Sequence, residues 1–371
     1  MSQAKKAVAD VLNKAGIEIN GPNDWDIQIH DERFYSRVLL HGSLGLGEAY
    51  MEKWWDCKRI DLFIERLLRS GKYANEINIP SVFLSIKNRL FNLQSKIGAK
   101  KVVHAHYDLS NELYQTFLDP HMQYSCAYFK NTDDLNTAQM QKMELICKKL
   151  ELKKGDRVLD VGCGWGGLAR HMATTYGCSV VGITISEKQA EFARGHVAGL
   201  PIEIRLQDYR DVIDEKFDRI VSVGMFEHVG YKNYRSFMEK MATLLRDDGL
   251  FLLHTIGQNV SIKTGNPWVE KYIFPGGMLP SIAQIGAASE GLFVVEDWHN
   301  FGPYYHKTLL AWDKNFQQGW SRIEKQYSET FYRMFRYYFN SFAGTFAARR
   351  IQLWQVVLSK SERRDIYASI R

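Results

Sequence analysis

Asp160 closes a short apolar stretch, Arg157-Val158-Leu159-Asp160-Val161, and four glycines follow at once: Gly162, Gly164, Gly166 and Gly167, spaced by Cys163 and Trp165. Leu168-Ala169-Arg170-His171-Met172-Ala173 then has the pattern of the first turns of a helix. An acid at a strand end can accept a hydrogen bond from a ligand ammonium group. Glycines let backbone N–H groups approach a ligand closely, and a helix N-terminus adds positive potential. The combination is a nucleotide-type binding corner. A second polar group, Gln207-Asp208-Tyr209, follows the stretch Ile202-Glu203-Ile204-Arg205-Leu206 and offers a carboxylate for an adenine amine beside an aromatic face for its ring.

Two ligand classes compete for this corner. Gly162, Gly164 and Gly167 satisfy the G-x-G-x-x-G dinucleotide pattern, whereas Gly162, Gly164 and Gly166 give the tighter G-x-G-x-G of S-adenosylmethionine enzymes; either match alone is weak. The dinucleotide reading needs an acid roughly 20 residues on, at the end of the second strand. Here residues 179–185 run out through Thr184, Ile185 and Ser186. With Asp160 before the glycines and Gln207-Asp208-Tyr209 after the third strand, the spacing favours S-adenosylmethionine.

The elements that must position these residues alternate. Strands are expected at 157–161, 179–185, 202–206, 218–223 and 250–255, with helices at 167–175, 187–195 and 231–245. That alternation calls for a parallel sheet covered by helices on both faces. Ligands in such sheets sit outside the strands' C-terminal ends, where Gly162, Thr184, Asp208 and Glu227 all fall. Residues 257–291 form an insertion too long for a plain loop. The aromatic stripe Phe331, Tyr332, Phe335, Tyr338, Phe339, Phe342 and Phe346 reads as packed core on a helix, and Ile351 to Leu358 as the last strand.

Ahead of this lies a first unit, residues 1–95, read as a small lipid- or membrane-associated domain. It has helices at 4–15, 46–56 and 60–68 and short strands at 17–19 and 26–29. Residues 96–115 are the linker and 116–371 the catalytic domain. The span Ile86 to Lys101 carries Lys87, Arg89, Lys96, Lys100 and Lys101 and no acid. It suits either an anionic lipid surface, where each cation contributes about 1 kcal/mol, or a solvated linker. His104 and His106 lack a third nearby ligand, so no metal site is assigned.

The 371 residues are 45% hydrophobic and 24% charged, with a net charge of +6. These values suit a soluble two-domain protein, and the moderate positive excess serves equally nucleic acid, an anionic membrane surface or solubility alone. No apolar run approaches the ~20 residues of a membrane span, and the N-terminus lacks the apolar core of a signal peptide. The expectation is a cytoplasmic protein. Its five cysteines lack C-x-x-C spacing and read as reduced thiols.

With the residues in view, the chain resembles the cyclopropane-fatty-acyl-phospholipid synthases and their relatives, the mycolic acid cyclopropane synthases. The motifs that carry the resemblance are Gly47-Glu48-Ala49-Tyr50-Met51 with Trp54-Trp55-Asp56, His106-Tyr107-Asp108, Tyr124-Ser125-Cys126-Ala127-Tyr128, Val161-Gly162-Cys163-Gly164-Trp165-Gly166, Gly182-Ile183-Thr184-Ile185-Ser186 with Gln189, Phe226-Glu227-His228-Val229-Gly230, Tyr272-Ile273-Phe274-Pro275-Gly276-Gly277, and Ile351-Gln352-Leu353-Trp354-Gln355. They span nearly the whole chain. The resemblance implies an α/β fold, a Rossmann-like class I S-adenosylmethionine methyltransferase domain with a small, mainly helical N-terminal domain. The implied reaction adds the methyl carbon of S-adenosylmethionine across a cis double bond in a membrane phospholipid. Tyr124, Ser125, Gly162, Thr184 and Gln189 would contact the cofactor, as Asp160, Gly164, Gln207, Asp208 and Tyr209 would from the reading above. A bound bicarbonate would act as base, held by Cys126, Glu227, His254 and Tyr305. Relatives often carry a cysteine at the position of Phe342, so a nucleophilic cysteine there is excluded.

Spacing alone does not separate Tyr305 from Tyr304. A methyltransferase acting on another lipid or a small amine is the competing enzyme reading, and a non-enzymatic membrane-bound sensor of adenosylmethionine is the reading from another class. Nucleic acid is not an expected partner, because a base-flipping enzyme would carry Asn/Asp-Pro-Pro-aromatic where this chain has Met225-Phe226-Glu227-His228. The expected partner is a phospholipid bilayer, met peripherally at the inner face of the cell membrane by a homodimer.

Overall fold

The computed structural model describes residues 2–71 and 109–371. The basic span 86–101, the pair His104 and His106, and the motif His106-Tyr107-Asp108 lie outside the described residues. The chain divides into two compact units, each discontinuous in sequence: Met1–Asn92 with Lys263–Pro275 and Tyr305–Ile351, and Leu93–Ile262 with Gly276–Tyr304 and Gln352–Arg371.

The first unit is mainly helical. Among the described residues its helices are Gln3–Lys14, Arg33–Met51, Ile60–Arg69, Pro267–Tyr272, Glu329–Ala347 and, from Tyr305 on, Pro303–Gly319, and a two-stranded ribbon pairs β1 (Gln28–Ile29) antiparallel with β2 (Trp55–Asp56). The stretch Arg33–Met51 breaks at Gly42, whose φ of 54° and ψ of −128° are not helical, so the segment after it begins near the expected Leu46; it ends at Met51, short of Trp54-Trp55-Asp56. Lys53 takes a left-handed φ of 62° and Trp54 N–H closes back on Ala49 O at 2.9 Å, which turns the chain into β2. The gain is burial of Trp55, whose Nε1 donates to Leu46 O at 3.0 Å and whose ring packs 5.3 Å from Phe63. Arg333 seals this corner by donating to Tyr50 O at 2.6 Å and to Asp56 Oδ1 at 2.7 Å. The aromatic stripe packs as core, with Phe335, Tyr338, Phe339 and Phe346 buried.

The second unit is built on a seven-stranded sheet: β3 (Arg157–Val161), β4 (Ser179–Thr184), β5 (Ile202–Leu206), β6 (Phe217–Val223), β7 (Leu245–Gln258), β8 (Val294–Asn300) and β9 (Ile351–Ser359), in the order β5-β4-β3-β6-β7-β9-β8. The first five in that order are mutually parallel, and β8 pairs antiparallel with β9. Side chains alternate between two cores: Leu159, Val161, Phe251 and Leu253 pack on one face, Val158, Leu250 and Leu252 on the other. Both faces are therefore covered, as the near-continuous apolar runs require. β7 extends beyond the expected 250–255 at both ends, and β8 was not legible as a strand. Val294 and Val295 are exposed on this edge strand, so no apolar alternation marks it.

Candidate active site

The corner after β3 is built as its spacing requires. Gly164 has φ +55°, and a Cβ placed there would meet nothing within 4 Å, so its backbone faces open space. Gly167 is closed instead: a Cβ there would lie 2.0 Å from His121 O. It brings helix Gly167–Tyr176 directly against the segment 119–126. Asp160, on β3, is buried, and its Oδ2 has no hydrogen-bond partner among the described residues. Burial pushes its carboxyl up to about 7, against the pull of Lys142. An orphaned buried carboxylate oxygen beside an open glycine backbone fits a ligand that carries an ammonium group.

At the neighbouring strand ends, Thr184 Oγ1 donates to Gln189 Oε1 at 2.9 Å. Thr184 O accepts Gln207 N–H at 2.9 Å. Ser186 caps the helix that holds Gln189, its Oγ accepting Gln189 N–H at 3.3 Å. Asp208 is gripped by Arg210, which donates Nε at 2.8 Å and Nη2 at 2.6 Å, and Tyr209 packs edge-on to Phe237 at 5.1 Å.

The segment carrying Tyr124, Ser125 and Cys126 is fastened from below by helix Leu135–Lys149. Gln139 Nε2 donates to Ser125 O at 2.9 Å, and Lys142 Nζ donates to Ser125 Oγ at 3.0 Å and to Gln123 Oε1. Asp119 shapes the turn before it, its two oxygens accepting His121 N–H and Gln123 N–H. Tyr124 stands edge-on to Tyr114 at 5.4 Å. Cys126 is fully buried, with Sγ 3.3 Å from Ala127 O.

Glu227 and His254 reach the same sheet edge from neighbouring strands. Glu227 lies in the turn Phe226–His228 just after β6, and His254 on β7 stands opposite Val223. Glu227 Oε1 accepts Ile256 N–H at 2.7 Å, while Oε2 has no hydrogen-bond partner among the described residues. His254 Nδ1 faces Gln355 Nε2 at 3.3 Å, while its Nε2 has no partner among the described residues. Burial pushes the Glu227 carboxyl up to about 7 and holds the His254 imidazole well below its usual range, so it is neutral. With Gln355 donating to Nδ1, the ring proton sits on Nε2, a buried donor. A neutral N–H and a carboxyl that titrates near neutrality fit a small anion bearing both lone pairs and a hydroxyl.

Tyr305 belongs to the helical unit. There it is buried and stacked on Phe346 with ring centroids 4.6 Å apart. Tyr304, in the sheet-bearing unit, packs against Tyr128 at 5.4 Å and Phe301 at 6.2 Å.

Gln123, Gln139, Lys142 and Gln355 were missed in the sequence. A signal existed for two of them. Gln139 and Lys142 fall in register with Leu135, Ala138 and Ile146, the buried side of their helix, and a polar residue on an apolar stripe must have a partner. Gln355 has no comparable signal, because every position of β9 is buried.

Residues 94–356 match the family model of mycolic acid cyclopropane synthetase. Cyclopropane-fatty-acyl-phospholipid synthase of Escherichia coli (strain K12) is 54% identical over 355 residues, 95% of this chain and 92% of that protein. Among solved structures, the cyclopropane synthase MmaA2 of Mycobacterium tuberculosis matches with a TM-score of 0.67 at 31% identity, over 73% of this chain and 100% of that one. The mycolic acid cyclopropane synthase CmaA1, complexed with SAH and CTAB, matches with a TM-score of 0.66 at 35% identity, over 70% of this chain and 98% of that one.

Proposed function

The chain belongs to the mycolic acid cyclopropane synthetase family, and we propose on that footing that it converts cis-unsaturated acyl chains of membrane phospholipids into cyclopropane acyl chains. It is an enzyme, an S-adenosylmethionine-dependent methyltransferase with the Rossmann-like class I fold. The methyl carbon of S-adenosylmethionine adds to the double bond, S-adenosylhomocysteine leaves, and the resulting carbocation closes to the ring as one proton departs. The lipid gains one CH2 and the double bond is lost.

The observation that supports this finer reading is the pair of half-committed buried groups, Glu227 with Oε2 open and His254 with Nε2 open. An isolated alkene is a poor nucleophile, so the residues' task is to align it with the sulfonium methyl and exclude water. Asp160 would take the ammonium of the methionyl group, Gly162 and Gly164 would admit its backbone neighbours, and Tyr124, Ser125, Thr184, Gln189, Gln207, Asp208 and Tyr209 would line the rest of the donor. Aromatic faces stabilise a carbocation without capturing it. Bicarbonate, when bound, would supply the base for the departing proton. His254 would donate to it from Nε2, Glu227 would orient it through Oε2, and Cys126 would be a further holder.

The substrate lies in a bilayer, and among the described residues no helix is long and apolar enough to cross one. Peripheral contact at the inner face of the cell membrane, from a cytoplasmic homodimer and through the N-terminal residues 1–95, accords with the basic run at 86–101. Two attachment surfaces would lengthen membrane residence.

The test is mass spectrometry of unsaturated phospholipid vesicles incubated with the protein and methyl-labelled S-adenosylmethionine, with and without bicarbonate. Gain of one labelled CH2 with loss of the olefin, stimulated by bicarbonate, is the expected result. A methylated but uncyclised product, or label in a non-lipid acceptor, would overturn it.

A further inference from the structure

Lys142 has no evident structural reason to be a lysine. Its side chain is fully buried, and among the described residues its ammonium is met by two neutral oxygens, Gln123 Oε1 and Ser125 Oγ at 3.0 Å, with no carboxylate in ion-pair reach. Burying an ammonium on neutral acceptors carries a desolvation cost that a methionine of similar length would not. Its helix could hold the segment above it without the charge, since Gln139 already ties that backbone through Ser125 O at 2.9 Å.

What the ammonium does is fix one hydroxyl. Lysine only donates, so when Nζ donates to Ser125 Oγ the serine hydrogen must turn away from it. No group among the described residues takes that hydrogen. Ser125 is therefore held as a buried donor in search of an acceptor. On the other side, Asp160 Oδ2 is a buried acceptor in search of a donor. An α-amino acid group offers both complements on one carbon, an ammonium and a carboxylate.

We infer that Lys142 is a positioning residue for the methyl donor: it fixes the Ser125 hydroxyl as a hydrogen-bond donor to the carboxylate of the methionyl group, acting through Ser125 and not by touching the ligand. This rests on the reading of Ser125 as a cofactor contact. Burial pulls the Lys142 ammonium down to about 8, while Asp119, Cys126 and Asp160 act to raise it, so it remains largely charged at neutral pH.

The test is a double-mutant cycle by titration calorimetry on the full chain, with S-adenosylhomocysteine as the probe and 5′-methylthioadenosine, which lacks the amino acid group, as the control. Lys142→Met and Ser125→Ala are each expected to weaken S-adenosylhomocysteine about tenfold, and the double variant to be no weaker than Ser125→Ala alone. Affinity for 5′-methylthioadenosine should be unchanged in all three, a result that a general loosening of the fold would not give. If Lys142→Met is not folded by circular dichroism, Lys142→Gln takes its place. An unchanged affinity in Ser125→Ala would sink the reading of Ser125 and this inference with it. A loss in Ser125→Ala with additive losses in the double variant, or none in Lys142→Met, would leave that reading standing and overturn the inference alone.

Discussion

Glu227 Oε1 accepts the backbone N–H of Ile256 at 2.7 Å, which ties the turn after β6 to the strand that carries His254. The bond uses one oxygen and leaves the other without a partner among the described residues, so the structural role and the proposed catalytic one separate in a single variant. Glu227→Gln keeps an acceptor for Ile256 and removes the ionisable oxygen. Cyclopropane formation should fall about 10²–10⁴-fold in kcat, measured on vesicles, with the far-ultraviolet spectrum unchanged.

The same residue sets a pH dependence. Burial lets folded Glu227 hold its proton to about pH 7, against an ordinary value of 4.5, so between those values the native state binds more protons than the unfolded chain. Its contribution to stability is present below pH 4.5 and is lost as pH rises to 7, by about 3 kcal/mol. Urea melts of the wild type and of Glu227→Gln across this window should converge at low pH and diverge toward neutrality, with the variant the more stable. A constant difference would remove the assignment.

Asp160 and Gly164 should part binding from folding. Asp160→Asn removes the charge that would face an ammonium, and S-adenosylhomocysteine should bind about tenfold or more weakly by calorimetry. Gly164→Ala must place a side chain at φ +55° in open space. The strain is worth about 1 kcal/mol of stability, and the loss of ligand affinity should exceed it. Gly167→Ala, whose Cβ would meet His121 O, should instead lower the melting temperature first.

Asp297, itself buried, anchors an ion cluster at the far edge of the sheet in which Lys149 is buried and Arg371 is exposed. Lys149 Nζ lies 2.9 Å from Oδ2, and Arg371 grips both oxygens at 2.6 and 2.7 Å. Burial opposes ionisation, yet Arg371 and Lys149 hold the carboxyl down at about 2. Asp297→Asn strands the buried Lys149 ammonium, Arg371 being left to solvent, and should cost about 3 kcal/mol in chemical denaturation, while activity per folded molecule stays unchanged.

Replacing Lys87, Arg89, Lys96, Lys100 and Lys101 by glutamine tests the lipid reading of that span. Flotation with anionic vesicles should fall, and the residual binding should lose most of its salt dependence. Binding that is unchanged would return the span to the role of linker.

The donor corner and the order of most elements around it are written in local sequence. Asp160, the glycines and Gln207-Asp208-Tyr209 are local in sequence, and their proposed roles rest on backbone geometry at strand ends, which a short motif encodes. The parallel sheet followed from alternation for the same reason. Pairing across distance comes from the fold. That Lys142 meets Ser125, that Gln355 faces His254, and that Glu227 spends one oxygen on Ile256 depend on which elements pack together. The strand Val294–Asn300 was likewise invisible, because it owes its conformation to pairing with β9 and not to its own exposed side chains. Local patterns record what a segment does alone; a buried polar group is explained only by the partner that the fold brings to it.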